Sequence, residues 1–188
     1  MRGIHHWSAN FLIIVVFLHT LRTFFTGAFH GVRQFNWVIG IALLLGVVAA
    51  NFTGYLLPWD QLAFWAVTIC TGMFGYVPWI GGWLQAMARG GAEVGSATLV
   101  IFYTFHTTLV PVALVLLMGF HFWRVRKAGG VVDPRPAEHI IEEKPEYVST
   151  LPELLMRELA AALALIAFVV VLAVFVDAPL GAPANPGM

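Results

Sequence analysis

Four stretches of this chain leave it few folds to choose from. Residues 7–25, 37–57, 97–123 and 154–176 are almost continuously apolar. Each is close to or above the roughly 20 residues that carry a helix across a bilayer. In hydrocarbon only helices and closed barrels pair every backbone N–H and C=O, and these runs lack the alternation of barrel strands. The sequence therefore predicts an all-α transmembrane protein, a four-span helical bundle with a short interfacial helix. Composition agrees: of 188 residues 60% are hydrophobic and 11% charged, about half the charged share of a soluble domain. Ten acidic and ten basic residues cancel, so no nucleic-acid partner is expected. The first run reads as a span rather than a cleaved signal, being too long and without a small-residue cleavage site. A single cysteine, Cys70, supports neither a disulfide framework nor a paired-cysteine metal motif.

The connections add orientation. Residues 58–96 are aromatic and glycine-rich, and residues 61–73 within them predict a short helix lying at the membrane interface, where tryptophan prefers to sit. Residues 124–153 are polar. Thr150 and Glu153, with Pro152 in the first turn, predict a capping box for the fourth span. Arg22 and Arg33 flank or fill the loop between spans one and two. Arg124, Arg126, Lys127, Arg135 and Lys144 fall between spans three and four, while the 58–96 connection offers only Arg89. The excess of basic residues assigns 23–36 and 124–153 to the cytoplasmic side. Spans one and three then both run from outside to inside.

Histidines inside spans are costly and mark functional sites by default. His5 and His19 are 14 residues apart, close to four helical turns and about 21 Å along the axis. His106 and His121 are 15 apart, again near four turns and about 22 Å. His5 and His106 thus fall near the outer face, His19 and His121 near the inner one. Each level offers two imidazoles to one metal, and a haem iron with two axial histidines fits best. The competing reading for any one of them is a hydrogen bond between helices. His6, 13 residues from His19, points elsewhere, and His30 and His139 lie in loops. Gly40 and Gly54 share a face of span two, also 14 apart. They would admit a flat group or a neighbouring helix. Arg2 and Arg22 lie three residues from His5 and His19 and would reach haem propionates or anchor the interface. Asp60 reads either as a proton relay or as a solvated loop residue. The sequence contains no nucleophile triad, phosphate loop or paired-carboxylate site.

The stretches RGIHHWSANFLIIVVFLHTLR (2–22), WVIGIALLLGVVAANFTGYLLPWDQLAFWAV (37–67) and SATLVIFYTFHTTLVPVALVLLMGFHFWRVRK (96–127) carry a resemblance. The chain resembles the cytochrome b/b6 family, the membrane core of bc-type quinol oxidoreductases. GYLLPWDQ is its most specific string; Asp60 and the 15-residue histidine spacing look like the b6 branch. The segment VFVDAPLGAPANPG (174–187) is similar to the region after the first helix of the family's C-terminal half. The resemblance implies residues 1–127 as the di-haem helices B, C and D, 128–153 as a cytoplasmic linker, and 154–188 as the first helix of the C-terminal half. It implies two b haems, the low-potential one ligated by His5 and His106 and the high-potential one by His19 and His121. Residues 58–76 would border an outer quinol-oxidation pocket, with a second quinone near Arg126 and Lys127.

The same resemblance implies a Rieske-type iron–sulfur protein and a cytochrome c-type subunit as partners, in a dimeric complex. The family's helix A and its PEWY motif would come from a longer reading frame or from other chains. Pro145, Glu146 and Tyr147 lie before span four, where that motif does not belong, and Val100 and Ile101 stand where relatives carry an arginine. The expected function is electron transfer through the two haems as the cytochrome b subunit of a quinol:cytochrome c oxidoreductase. The alternatives are a di-haem anchor for another quinone-linked oxidoreductase and a haem-free structural fragment.

Overall fold

The structure, a computed structural model, describes residues 1–130 and 149–187. Arg135, His139, Lys144 and the Pro145, Glu146, Tyr147 string lie outside the described residues. Seven α-helices are formed among the described residues: α1 (Arg2–Phe25), α2 (Gln34–Tyr55), α3 (Gln61–Met73), α4 (Gly81–Arg89), α5 (Ser96–Thr104), α6 (Val110–Lys127) and α7 (Leu155–Phe175). A π-helical turn, Phe105–Leu109, joins α5 to α6. Among the described residues the one β feature is an isolated bridge between Asp60 and Pro183. Among the described residues four helical stretches are long and apolar enough to cross a membrane: Arg2–Phe25, Gly31–Tyr55, Ser96–Lys127 and Leu151–Phe175. Large apolar side chains stay exposed along them, Leu45, Leu116 and Val174 among others, as suits helices whose solvent is lipid. The protein is an all-α integral membrane protein.

The predicted interfacial helix coincides with α3. The fourth span departs from expectation. Its helix begins at Leu155 with Leu154 in the N-cap position and no side-chain cap bond. Thr150–Leu154 forms a separate π turn in which Leu151 is extended (φ −126°, ψ 126°), so the predicted capping box does not open this helix. An extended residue inside the box breaks the geometry a reciprocal cap requires.

The chain divides into two units, the first comprising Met1–Arg33 with Val125–Ala178. Here α1 packs antiparallel along α7. A Cβ at Gly3 would touch Ala173 at 3.5 Å, and the Phe11 and Phe168 rings meet edge to face at 5.5 Å. Small residues let membrane helices approach this closely. Beyond α7 the chain is tied back to α1: Arg2 Nη2 donates to the Ala178 carbonyl at 2.6 Å and Trp7 Nε1 to the Val176 carbonyl at 3.0 Å. Arg33 Nη2 donates to the carbonyls of Ala128 (2.8 Å) and Gly130 (3.2 Å). The two basic connections therefore touch, as loops on one side of a membrane can.

The second unit comprises Gln34–Arg124 with Pro179–Met188. Its inter-span connection is a built structure centred on Arg89, which is buried at 8% exposure. Nε donates to Thr71 Oγ1 (2.9 Å), Nη1 to the Ala92 carbonyl (3.0 Å) and Nη2 to the Thr68 carbonyl (2.9 Å). The Gln85 amide, turned oxygen-in, accepts from Nη1 at 2.9 Å and Nη2 at 3.1 Å. All five guanidinium N–H groups are then used on neutral acceptors from α3, α4 and the 90–95 turn. The Arg89 carbonyl accepts from the fully buried Thr98 hydroxyl at 2.6 Å, and Gly90 closes α4 at φ 72°, a left-handed cap that favours glycine.

Asp60 also proves structural. Oδ1 caps α3 by accepting from the Ala63 amide (2.9 Å), and Oδ2 accepts from the Gly181 amide (3.1 Å). Next to it, the Gln61 amide donates to the Ala182 carbonyl (2.8 Å) and the Ala184 amide to the Trp59 carbonyl (3.0 Å). The Gln61 side chain exchanges two bonds with the Asn185 backbone. The Trp59-Asp60-Gln61 run is thus laced to residues 181–185.

Two outcomes follow for this lacing. Asp60→Ala should cost about 1–2 kcal/mol, the scale of a lost N-cap, and expose residues 179–187 to protease; Asp60→Asn, which still caps, should cost less. Arg89→Met should cost more, about 3 kcal/mol or above, because it strands several buried acceptors of a charged donor. Thermal unfolding in detergent and limited proteolysis measure both, and unchanged midpoints would refute the lacing.

Candidate functional site

The second unit brings four of the sequence-predicted residues together in two pairs. Helix α2 runs antiparallel to α5 and α6, and its glycines face their histidines. A Cβ at Gly54 would stand 2.6 Å from His106 Cε1, 3.0 Å from Nδ1 and 3.2 Å from Nε2. A Cβ at Gly40 would stand 3.6 Å from His121 Cε1. Between the pairs, the Gly46 position meets Leu114 at 2.7 Å. Glycine is required at Gly54 because the imidazole lies where a side chain would begin. At Gly40 a methyl would make ordinary contact.

His106 is oriented by its neighbour helix. Its Nδ1 lies 2.9 Å from the Ala50 carbonyl and 3.3 Å from Thr53 Oγ1. The Thr53 hydroxyl itself donates to the Ala49 carbonyl at 2.8 Å. A carbonyl accepts only, so Nδ1 carries the proton and the lone pair of the neutral ring sits on Nε2. An imidazole fixed at one nitrogen by a backbone carbonyl, with the other nitrogen basic, is the usual form of a metal-ligating histidine. His106 lies within the π turn, whose Val110 amide donates to the Phe105 carbonyl five residues back.

His5 and His19 lie on α1 of the first unit, both exposed on the chain itself. His6, on the same helix, accepts from Asn10 Nδ2 at 3.2 Å and rests edge to face on Trp7 at 5.1 Å. Arg2 engages Ala178, as described above. Arg22, in the last turn of α1, and Arg126, in the last turn of α6, are exposed. Among the described residues no three His, Cys, Asp or Glu side chains converge. A porphyrin supplies four of its iron's ligands and asks at most two of the protein, fewer than a bare ion asks.

One residue escaped the sequence reading, which used Arg124 only as a loop charge. Its guanidinium carbon sits 5.4 Å from the Phe35 ring centroid. Among the described residues Arg124 Nε and the Asn36 side-chain oxygen are buried without a hydrogen-bond partner. The signal was available, since three basic residues within four positions at a helix end cannot all point the same way.

A family model described as Cytochrome b(N-terminal)/b6/petB matches residues 10–183. The chain is 41% identical to the cytochrome b6 of Chlamydomonas reinhardtii over 129 residues, 69% of this chain and 60% of that relative. It is likewise 41% identical to the cytochrome b6 of a Synechocystis species over 129 residues, 69% of this chain and 58% of that one. A chain of a solved hyperthermophilic respiratory Complex III aligns with a TM-score of 0.84 at 26% identity, covering 98% of this chain and 51% of that chain. This chain thus spans about 60% of the length of the curated relatives it matches. With that family model matching residues 10–183, nearly all of its length, the chain belongs to the cytochrome b N-terminal/b6 family.

Proposed function

We propose that this chain is the haem-bearing part of the cytochrome b subunit of a quinol:cytochrome c oxidoreductase of the bc or b6f type, carrying two b haems. The observation that carries the reading is the pair of glycine–histidine contacts, Gly54 with His106 and Gly40 with His121. The carbonyl-bonded Nδ1 of His106 adds to it. A glycine wall beside an imidazole with a basic Nε2 fits a flat macrocycle that needs axial nitrogen. When bound, the haem would supply one-electron redox chemistry within the membrane.

In this reading His5 and His106 would hold the outer haem, and His19 and His121 the inner one. Arg2 and Arg22 serve the propionates, since a guanidinium matches a carboxylate in fork geometry. Gly40 and Gly54 keep the helix face flat beside the ligands. Residues 58–76 border an outer quinol pocket, and Arg126 and Lys127 attend a second quinone. Residues 23–36 and 124–153 face the cytoplasm. Residues 1–127, 128–153 and 154–188 act as di-haem helices, linker and first helix of the C-terminal half. A Rieske-type iron–sulfur protein, a cytochrome c-type subunit, and the chains or chain segments carrying helix A and PEWY complete a dimeric complex.

A dithionite-reduced minus oxidised spectrum of the purified membrane protein, with haem quantified per chain, tests the reading. Two b haems per chain are expected; none would overturn it. Replacing His19 or His121 by leucine should remove the inner haem alone, and His6→Leu should leave both. Gly54→Ala should lower the content to about one haem per chain, its methyl displacing a ligand ring. Gly40→Ala should leave about two, since its methyl only touches the ring.

A further inference from the structure

The glycines on α2 are 14 residues apart and the histidines they face are 15 apart. Two regular antiparallel helices cannot match those spacings. Fourteen residues of α-helix fall about 40° short of four full turns, whereas fifteen overshoot by about 60°. On an uninterrupted span three, His106 would therefore sit about 100° around the helix from the line that Gly54 and Gly40 define. Yet both contacts are made. The difference falls in the Phe105–Leu109 π turn, which contains His106 and lies wholly between Thr104 and Val110. A π turn holds one residue more than an α turn with almost no added rise, so fifteen residues do the work of fourteen.

Local chemistry fixes the turn there. Pro111, two residues beyond it, has no N–H, and in a regular helix its ring would press on the Thr107 carbonyl. A wider turn on its N-terminal side relieves that clash. Thr107 Oγ1 donates to the Tyr103 carbonyl (2.8 Å) and Thr104 Oγ1 to the Val100 carbonyl (2.9 Å), supplying donors to the stretch of backbone whose ladder shifts.

We infer that the Phe105–Leu109 π turn is a register device: it absorbs the extra residue of span three, so that His106 meets Gly54 while His121 meets Gly40. Pro111 and Thr107 hold it in place. Thr108 is the residue in surplus. It is exposed, and its removal would let the turn close to α-helix with both histidines still on the glycine line. The inference rests on the haem reading for its readout only, since the contacts themselves lie within one unit.

The test is a pair of single-residue deletions in the full chain, read by haem per chain and by the low-spin EPR signal of each haem. Deleting Thr108 takes the histidine spacing to 14. Deleting Leu45, also exposed at 63%, takes the glycine spacing to 13 in a helix with no π turn to release. The expected result is two haems with unchanged EPR signals after the first deletion, and loss of at least one after the second. Any loss with the Thr108 deletion overturns the inference, because the turn then held no slack. Retention of both haems in both variants overturns it too, because register then does not matter. A wild-type chain without haem would instead sink the functional reading and leave the deletions to be judged by the Val110 amide. An i−4 acceptor for that amide in the wild type, resolved by solid-state NMR, would refute the turn itself.

Discussion

A histidine on a membrane helix has to be answered by the neighbouring helix, because lipid offers neither a hydrogen bond nor room. In the second unit the answer is a glycine for the ring and a carbonyl for its N–H. Gly54 leaves the space that the His106 imidazole fills, and the Ala50 carbonyl takes the Nδ1 proton. That contact sets how closely α2 and span three approach. It also fixes which nitrogen remains basic, and it is reached through the π turn that reconciles two unequal spacings. Packing, tautomer and helix irregularity meet at this contact.

The connection between spans two and three solves a different problem. It is aromatic, nearly uncharged and long, a composition that would leave many backbone groups without partners at a membrane surface. One cation organises it. Arg89 spends its whole guanidinium on hydroxyl, amide and carbonyl oxygens of α3, α4 and the following turn. Such saturation gives direction without a counter-ion, and leaves the residue no donor for a ligand. Asp60 works alike at the other edge, one oxygen on the start of α3 and one on the returning chain at Gly181. Both residues looked functional or idle by sequence, and both are joints. Charge in a membrane loop invites a chemical reading, but a buried group whose donors and acceptors are all matched is first of all a piece of construction.

Much of this was legible because the bilayer simplifies the code. Runs of about 20 apolar residues leave only helices, so the spans and the Gln61–Met73 interfacial helix followed from composition and length. Periodicity, which needs no knowledge of the partner helix, singled out His106, His121, Gly40 and Gly54, which the structure sets in two pairs. The reading failed where two elements had to be known at once. Thr150 and Glu153 satisfy a capping pattern, yet the helix opens at Leu155. Arg124 was counted as a loop charge, yet it folds onto Phe35.

By itself the sequence determined the class of the protein, its four apolar spans and the periodic placement of the histidines and glycines, because these depend on hydrophobic length and on helical period along one chain segment. Only the tertiary structure decided which glycine faces which histidine, that fifteen residues can stand for fourteen, and that Arg89 and Asp60 hold the connection between spans two and three together. Each of those depends on the distance between two segments far apart in the chain, and a distance of that kind is set by packing rather than by any local propensity.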